Sequence, residues 1–206
     1  MPGTLYGVAL SQPTRSCLLL IKEANLDIAY EEVNMMAGAH KQEPFISINP
    51  AGQLPAFADG DFKLAEGAAI LTYIAESNNL ADWYPTDPKA RAKINQWLHW
   101  NHTNTRQSTK QMMFPTLFGG EVDCTGFTAS LSVLEKTLEN SKFVASSDHP
   151  TLGDLFVLPE LDQVDADFLD VFDFTPYPNI VRYLSDIKAA LPSYEENKAN
   201  CKPFTA

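Results

Sequence analysis

The chain has 206 residues, 45% of them apolar and 20% charged, and a formal net charge of −11. This is ordinary globular composition, enough for one large domain or two small ones. Both the first 76 residues and the remainder are net acidic, which opposes binding to nucleic acid or to an anionic membrane, because both need clustered Lys and Arg.

No basic segment followed by an apolar stretch opens the chain, and no apolar run approaches the roughly 20 residues that span a bilayer. The cysteines Cys17, Cys124 and Cys201 are widely spaced and lack metal-ligand spacing. The expectation is a soluble, cytoplasmic protein from a reducing compartment, with no metal.

In chain order, Leu5-Tyr6-Gly7-Val8 reads as a strand, Ser11-Gln12-Pro13-Thr14-Arg15-Ser16 as a loop, and Cys17 to Ala24 as a helix. A second strand follows, then a polar segment with His40 and Lys41, then the turn Asn49-Pro50-Ala51-Gly52-Gln53. Pro55 cannot donate to a central ladder, so it sits at a strand start. Its bond to Leu54 can be cis at a cost of only about 0.5–1 kcal/mol. A cis bond there would turn the backbone N–H and C=O of Leu54 outward, free to pair with an extended ligand as an added strand would. A short strand, Asp59-Gly60 as a two-residue hairpin turn and the strand Phe62-Lys63-Leu64 come next.

Glu66 then falls at the start of a helix with Ala69, Ile70, Tyr73 and Ile74 at helical spacing. Free N–H groups at that start would receive a carboxylate, and the Glu66 side chain would accept from an ammonium. The pair is shaped for a zwitterionic amino-acid end.

This order, βαβ followed by ββα, predicts an α/β domain with a mixed four-stranded sheet over residues 1–77. Residues 78–87 form a turn-rich linker, and residues 88–206 an all-helical domain. Asp87-Pro88 supplies an N-cap and a first-turn proline for one long helix reaching Phe114. Ile94, Trp97, Leu98 and Asn101, then Leu131, Leu134 and Leu138, recur at helical intervals. Thr151-Leu152-Gly153-Asp154 marks another helix start with a short capping box. Glu160 to Asp173 carries six acids and no base, read as a solvated helix face and loop, with a docking surface for a basic partner as the alternative.

Asn-Pro-x-Gly-x-x-Pro paired with Glu-x-x-Ala-Ile resembles the thioredoxin-like half of the glutathione transferases. Ser-Gln-Pro-x-Arg after the first strand, and Trp97-Leu98-x-Trp100-x-His102-Thr103 with Arg106 and Met113-Phe114-Pro115, are similar to the theta class and its insect and bacterial relatives. The resemblance covers nearly the whole chain. It implies a thioredoxin-like domain followed by a helical bundle, a homodimer, and glutathione as co-substrate for attack on a small hydrophobic electrophile such as an alkyl or aryl halide or a hydroperoxide.

Carried over residue by residue, it makes Ser11 the catalytic residue and Gln12, His40, Lys41, Gln53, Leu54, Glu66 and Gly67 the glutathione contacts. Arg106 and Met113 line the electrophile pocket. A thiol has an ordinary pKa of about 8.5, and lowering it by about two units takes roughly 2.7 kcal/mol. One hydrogen bond to a charged group contributes roughly 1.5–3 kcal/mol and a helix N-terminus about 0.3–1, so a single hydroxyl at a helix mouth suffices. Ser16 is the runner-up donor, and strand alternation sets Tyr6 aside. Gly67 departs from the usual Ser of the family and keeps only a backbone N–H. Surface or core roles stand as the alternatives for His40, Lys41, Arg106 and the Met112–Leu117 stripe.

Two other classes compete. One is a non-catalytic transferase-like module of the kind in the elongation factor 1 gamma subunit. The other is a thiol oxidoreductase, opposed by the absence of a cysteine at Ser11 or Thr14; Cys17, among leucines, reads as a buried structural thiol.

Overall fold

The computed structural model describes residues 3–146, 148–166, 168–199 and 201. Their contacts divide the chain into two compact units, one from residues 1–81 with 192–206 and one from 82–191. The sequence closes the first domain at 77 and runs the helical one to 206; in the structure, the described residues 192–199 and 201 belong to the first unit.

The first unit is built on strands β1 (Gly3–Gly7), β2 (Ile28–Glu32), β3 (Ala56–Asp59) and β4 (Phe62–Ala65) in the order β2-β1-β3-β4. β2 runs parallel to β1, whereas β3 and β4 are antiparallel to their neighbours. This is the mixed sheet expected from βαβ-ββα.

Alternation along β1 sorts its side chains. Leu5 is fully buried opposite Phe57, while the adjacent Tyr6 joins a separate cluster of Val33, Phe45 and Ala56. Helices α1 (Gln12–Glu23) and α3 (Gly67–Ser77) pack on each other through apolar faces that include Leu19, Leu20, Ile70, Leu71 and Ile74. The short α2 (Phe45–Ile48) adds Phe45 and Ile48 to the Tyr6 cluster.

Two boundaries differ from the sequence reading. α1 starts at Gln12 rather than Cys17, because Ser11 takes the N-cap position and Pro13 falls in the first turn, where a missing N–H costs nothing. The hairpin loop is Gly60-Asp61, one residue later than expected. Asp59 pairs with Phe62, and Gly60 takes the positive φ of +57° that the first loop position requires.

The second unit contains α4 (Pro88–Thr103), α5 (Thr105–Phe118), α6 (Thr125–Leu138), α7 (Leu152–Val164) and α8 (Pro178–Ala190). Asp87 caps α4 by accepting from the Ala90 N–H at 2.8 Å. The expected single helix to Phe114 is broken at Asn104, whose side chain turns back on the Trp100 carbonyl at 2.9 Å. Asn101, Thr103, Asn104 and Thr105 all bond backbone or one another locally, the competition that makes such residues poor helix interiors.

Every residue of α7 is buried, against α4, α5 and α8. The solvated-face reading of the acidic run therefore fails over its first part. Glu160 and Asp162 are buried, and Arg106 pairs with the former and Lys188 with the latter. Asp167 of that run lies outside the described residues. No described helix is long and apolar enough to cross a membrane.

Candidate functional site

The pairing register assembles the site. Tyr6 on β1 faces Ala56 on β3, and Ala56 faces Ala65 on β4. That row crosses the sheet where β1 and β4 end and β3 begins. The loop to Ser11, the Leu54-Pro55 bond and the Glu66-Gly67 start of α3 consequently leave the sheet at one edge. β2 ends there too, with the Val33 N–H on the Gly7 carbonyl at 2.8 Å, and leads on to His40 and Lys41.

The Leu54–Pro55 peptide is cis. Neither backbone group of Leu54 makes a hydrogen bond to another described residue, so both are available to an extended ligand. The turn before it is rigid. Asn49, itself buried, donates to the Gln53 carbonyl at 2.8 Å and accepts from the Ala51 N–H at 3.1 Å.

Gly52 has φ +59°, and a Cβ there would stand 2.7 Å from the His40 carbonyl oxygen and 2.8 Å from Lys41 Cδ. Only glycine allows the 39–41 turn to lie so close. Lys41 Nζ closes the arrangement on the Ala51 carbonyl at 3.1 Å. His40, Lys41 and Gln53 are thus brought together, Lys41 and Gln53 exposed and His40 with a buried, unpartnered Nδ1.

Glu66 is the N-cap of α3, exposed, with φ +70° and ψ 113°. A non-glycine residue held there is strained, and such strain concentrates at ligand-holding positions. Its side chain makes no capping bond, which leaves the first N–H groups of α3 without intrahelical partners. A carboxylate seated on those N–H groups and an ammonium against Glu66 would satisfy both.

Ser11 occupies the same kind of position on α1. Its N–H bonds Val8 and its carbonyl accepts from Arg15, both at 2.9 Å, while its half-buried hydroxyl makes no capping bond. Gly7 permits this approach: a Cβ at residue 7 would lie 2.3 Å from the Thr14 methyl. Gln12 is buried beside Ser11.

Ser16, the runner-up, is fully buried with its hydroxyl on the Gln12 carbonyl at 3.1 Å, so it is not a donor to a ligand. Tyr6 packs edge-on against Phe45. Cys17 is fully buried beneath the Gly67 carbonyl, and burial pushes its thiol far up, as expected of a structural cysteine.

Arg106 and Met113 belong to α5 in the helical unit. Arg106 Nη1 lies 3.4 Å from Glu160 Oε1, and Thr109 donates to the other oxygen of the same carboxylate. Met113 is buried next to Met112, whereas Phe114 and Phe118 stack on the exposed face. Among the described residues no group of His, Cys, Asp and Glu is arranged to hold a metal ion. Sequence reasoning overlooked Asn49 and Gly7 as the residues that hold the site in shape; the Asn-Pro-x-Gly turn was the available signal for the first.

Comparison with known proteins agrees with this geometry. Residues 1–76 match the family described as glutathione S-transferase, N-terminal domain. Glutathione S-transferase theta-1 of Mus musculus is 32% identical over 91% of this chain and 82% of its own length. A delta-class glutathione transferase of Nilaparvata lugens superposes with a TM-score of 0.90 at 34% identity, covering 98% of this chain and 96% of that one. The apo form of human glutathione S-transferase T1-1 gives 0.81 at 28%, covering 98% and 90%. With its sheet register, its cis-proline edge and these relatives in agreement, the chain belongs to the glutathione S-transferase family.

Proposed function

We propose that this chain conjugates glutathione to small hydrophobic electrophiles such as alkyl or aryl halides and reduces hydroperoxides with the same sulfur, Ser11 stabilising the thiolate. The observation that carries the reading is the register row Tyr6–Ala56–Ala65, which gathers Ser11, Leu54 and Glu66-Gly67 at one sheet edge. An extended tripeptide pairs its backbone with Leu54. Its γ-glutamyl carboxylate meets the N–H groups of Gly67 and Ala68, its ammonium meets Glu66, and its glycyl carboxylate meets His40 and Lys41, with Gln12 and Gln53 as further contacts.

The Ser11 hydroxyl then donates to the sulfur at the N-terminus of α1, where the helix dipole adds to the preference for the anion. On a halide the sulfur attacks the electrophilic carbon, a C–S bond forms, and the halide leaves with the bonding pair. On a hydroperoxide it attacks the terminal peroxide oxygen: an S–O bond forms as the O–O bond breaks, the alkoxide takes up a proton, and a second glutathione converts the sulfenic acid to the disulfide with release of water. Binding and orientation supply the rest of the rate. Arg106 and Met113 are assigned to the electrophile pocket. In this reading Glu160 orients Arg106.

The proposal includes a cytoplasmic homodimer in which α3 of one subunit meets α4 and α5 of the other. The non-catalytic, carrier-type alternative is not adopted, because the relatives reported above carry transferase names. Calorimetric titration tests the binding step. Saturable heat and a raised melting temperature at millimolar glutathione are expected, and the absence of both would overturn it.

A further inference from the structure

The segment after Leu191 returns to the first unit as a strap along α1. α9 (Tyr194–Ala199) packs against α1. At the start of the strap Ser193 donates its backbone N–H to Glu23 Oε1 at 2.7 Å, and Glu196 pairs with Lys22, both partners lying at the end of α1. At its far end the Cys201 N–H bonds the Lys198 carbonyl at 2.9 Å, and the buried Cys201 thiol lies 3.2 Å from the Ala9 carbonyl oxygen and 3.2 Å from that of Asn197.

Ala9 sits in the turn that the Val8 carbonyl closes on the Ser11 N–H. One residue of the four-residue Val8–Ser11 turn is therefore held by a side chain 192 positions away, from the strap.

We infer that Cys201 is a positioning residue for Ser11: its thiol, donating to the Ala9 carbonyl, fixes the turn that aims the Ser11 hydroxyl. The inference rests on the reading of Ser11 as thiolate donor. A hydroxyl aimed at a sulfur must be placed within a few tenths of an ångström. The Ser11 N–H to Val8 bond closes the turn and the Arg15 N–H to Ser11 bond joins it to α1, while the Ala9 carbonyl between them is held from outside by Cys201, whose contact completes that placement. A thiol is a weak donor. Its loss would move the turn without unfolding the unit, which separates positioning from stability.

The test compares the pH dependence of thiolate absorbance for bound glutathione, with kcat and KM, in wild type, Cys201→Ala, Cys201→Ser and Ser11→Ala. Cys201→Ala is expected to raise the pH of half-ionisation and to lower kcat at pH ~6.5 by roughly threefold to tenfold, with KM changed less. Cys201→Ser, which keeps a donor to Ala9, stays within about twofold of wild type. The melting temperatures stay close. If Ser11→Ala shifts the titration and Cys201→Ala leaves it on the wild-type curve, the positioning role is overturned while the Ser11 reading stands. If Ser11→Ala itself shifts nothing, the Ser11 reading falls and this inference falls with it.

Discussion

Asp154 accepts the Thr151 N–H at 2.8 Å through one carboxylate oxygen and, at the same distance through the other, the N–H of Val144, ten residues earlier in the chain. One fully buried carboxylate thus closes the capping box of α7 and ties the preceding loop to the central helix of its unit. Replacing it with Ala removes a cap and strands a buried N–H, a loss of about 2–4 kcal/mol. Urea denaturation reads it; an unchanged midpoint would remove Asp154 from the account of stability.

The same carboxyl carries a pH signature. Burial raises its pKa to about 6 against the opposing hydrogen bonds of Val144 and Thr151, whereas an unfolded Asp titrates near ~3.9. The native state therefore holds the proton more tightly. The proton-linked part of this group's stability is full below pH ~4, falls as the pH climbs toward 6 and is gone above it, a change of about 3 kcal/mol. Subtracting the Asp154→Asn curve cancels the other titrating groups. The difference should decline between pH ~4 and ~6, and a flat or rising one contradicts the assignment.

Glu160 presents a different case, since its buried side chain faces an Arg106 that keeps 16% of its own exposure. Glu160→Gln keeps a polar partner for Thr109 but removes the charge that Glu160 sets against the guanidinium. The expected loss is about 2–3 kcal/mol after discounting for that exposure. Added salt should change the wild-type value little, because a pair this buried is poorly screened. Identical denaturation of variant and wild type would show that the pair contributes nothing.

Much of this architecture was legible in the sequence, and most of the failures have a long-range cause. Pro55, the Glu66 helix start, Asp87-Pro88 and Thr151–Asp154 are local signals, each decided within a few residues, and each lies where expected. The split at Asn104 was also local but easily overlooked, since the apolar period runs past it. Burial of Glu160 and Asp162 depends on Arg106 and Lys188, 54 and 26 residues away, and the return of the strap depends on Glu23 meeting Ser193 across 170. Spacing along one chain does not reveal such partners. Within the site, the motif residues were visible, but the shaping roles of Gly7 and Asn49 emerge only from contacts.

Gly67→Ser restores a hydroxyl at the start of α3. If it reaches the γ-glutamyl carboxylate, affinity should rise roughly tenfold or more, the worth of a hydrogen bond to a charged group. Calorimetry compares the two proteins directly. Equal dissociation constants would mean that water or a neighbouring group already supplies that contact.

Light scattering at micromolar concentration examines the dimer. The expected mass is twice the 22.8 kDa of the chain, with a contact that is largely apolar or that sets the few bases of α4, such as Arg91 and Lys93, against acids across the two-fold axis. A mass at 22.8 kDa would remove the dimer from the proposal.

The most direct test of the central claim is the ionisation of glutathione in the site, followed by thiolate absorbance against pH in wild type and Ser11→Ala. The wild-type complex should be half ionised about two pH units below the ordinary thiol value of about 8.5, and the variant should return most of the way toward it. Bound glutathione that titrates as it does in water, or a Ser11→Ala curve lying on the wild-type one, would contradict the account.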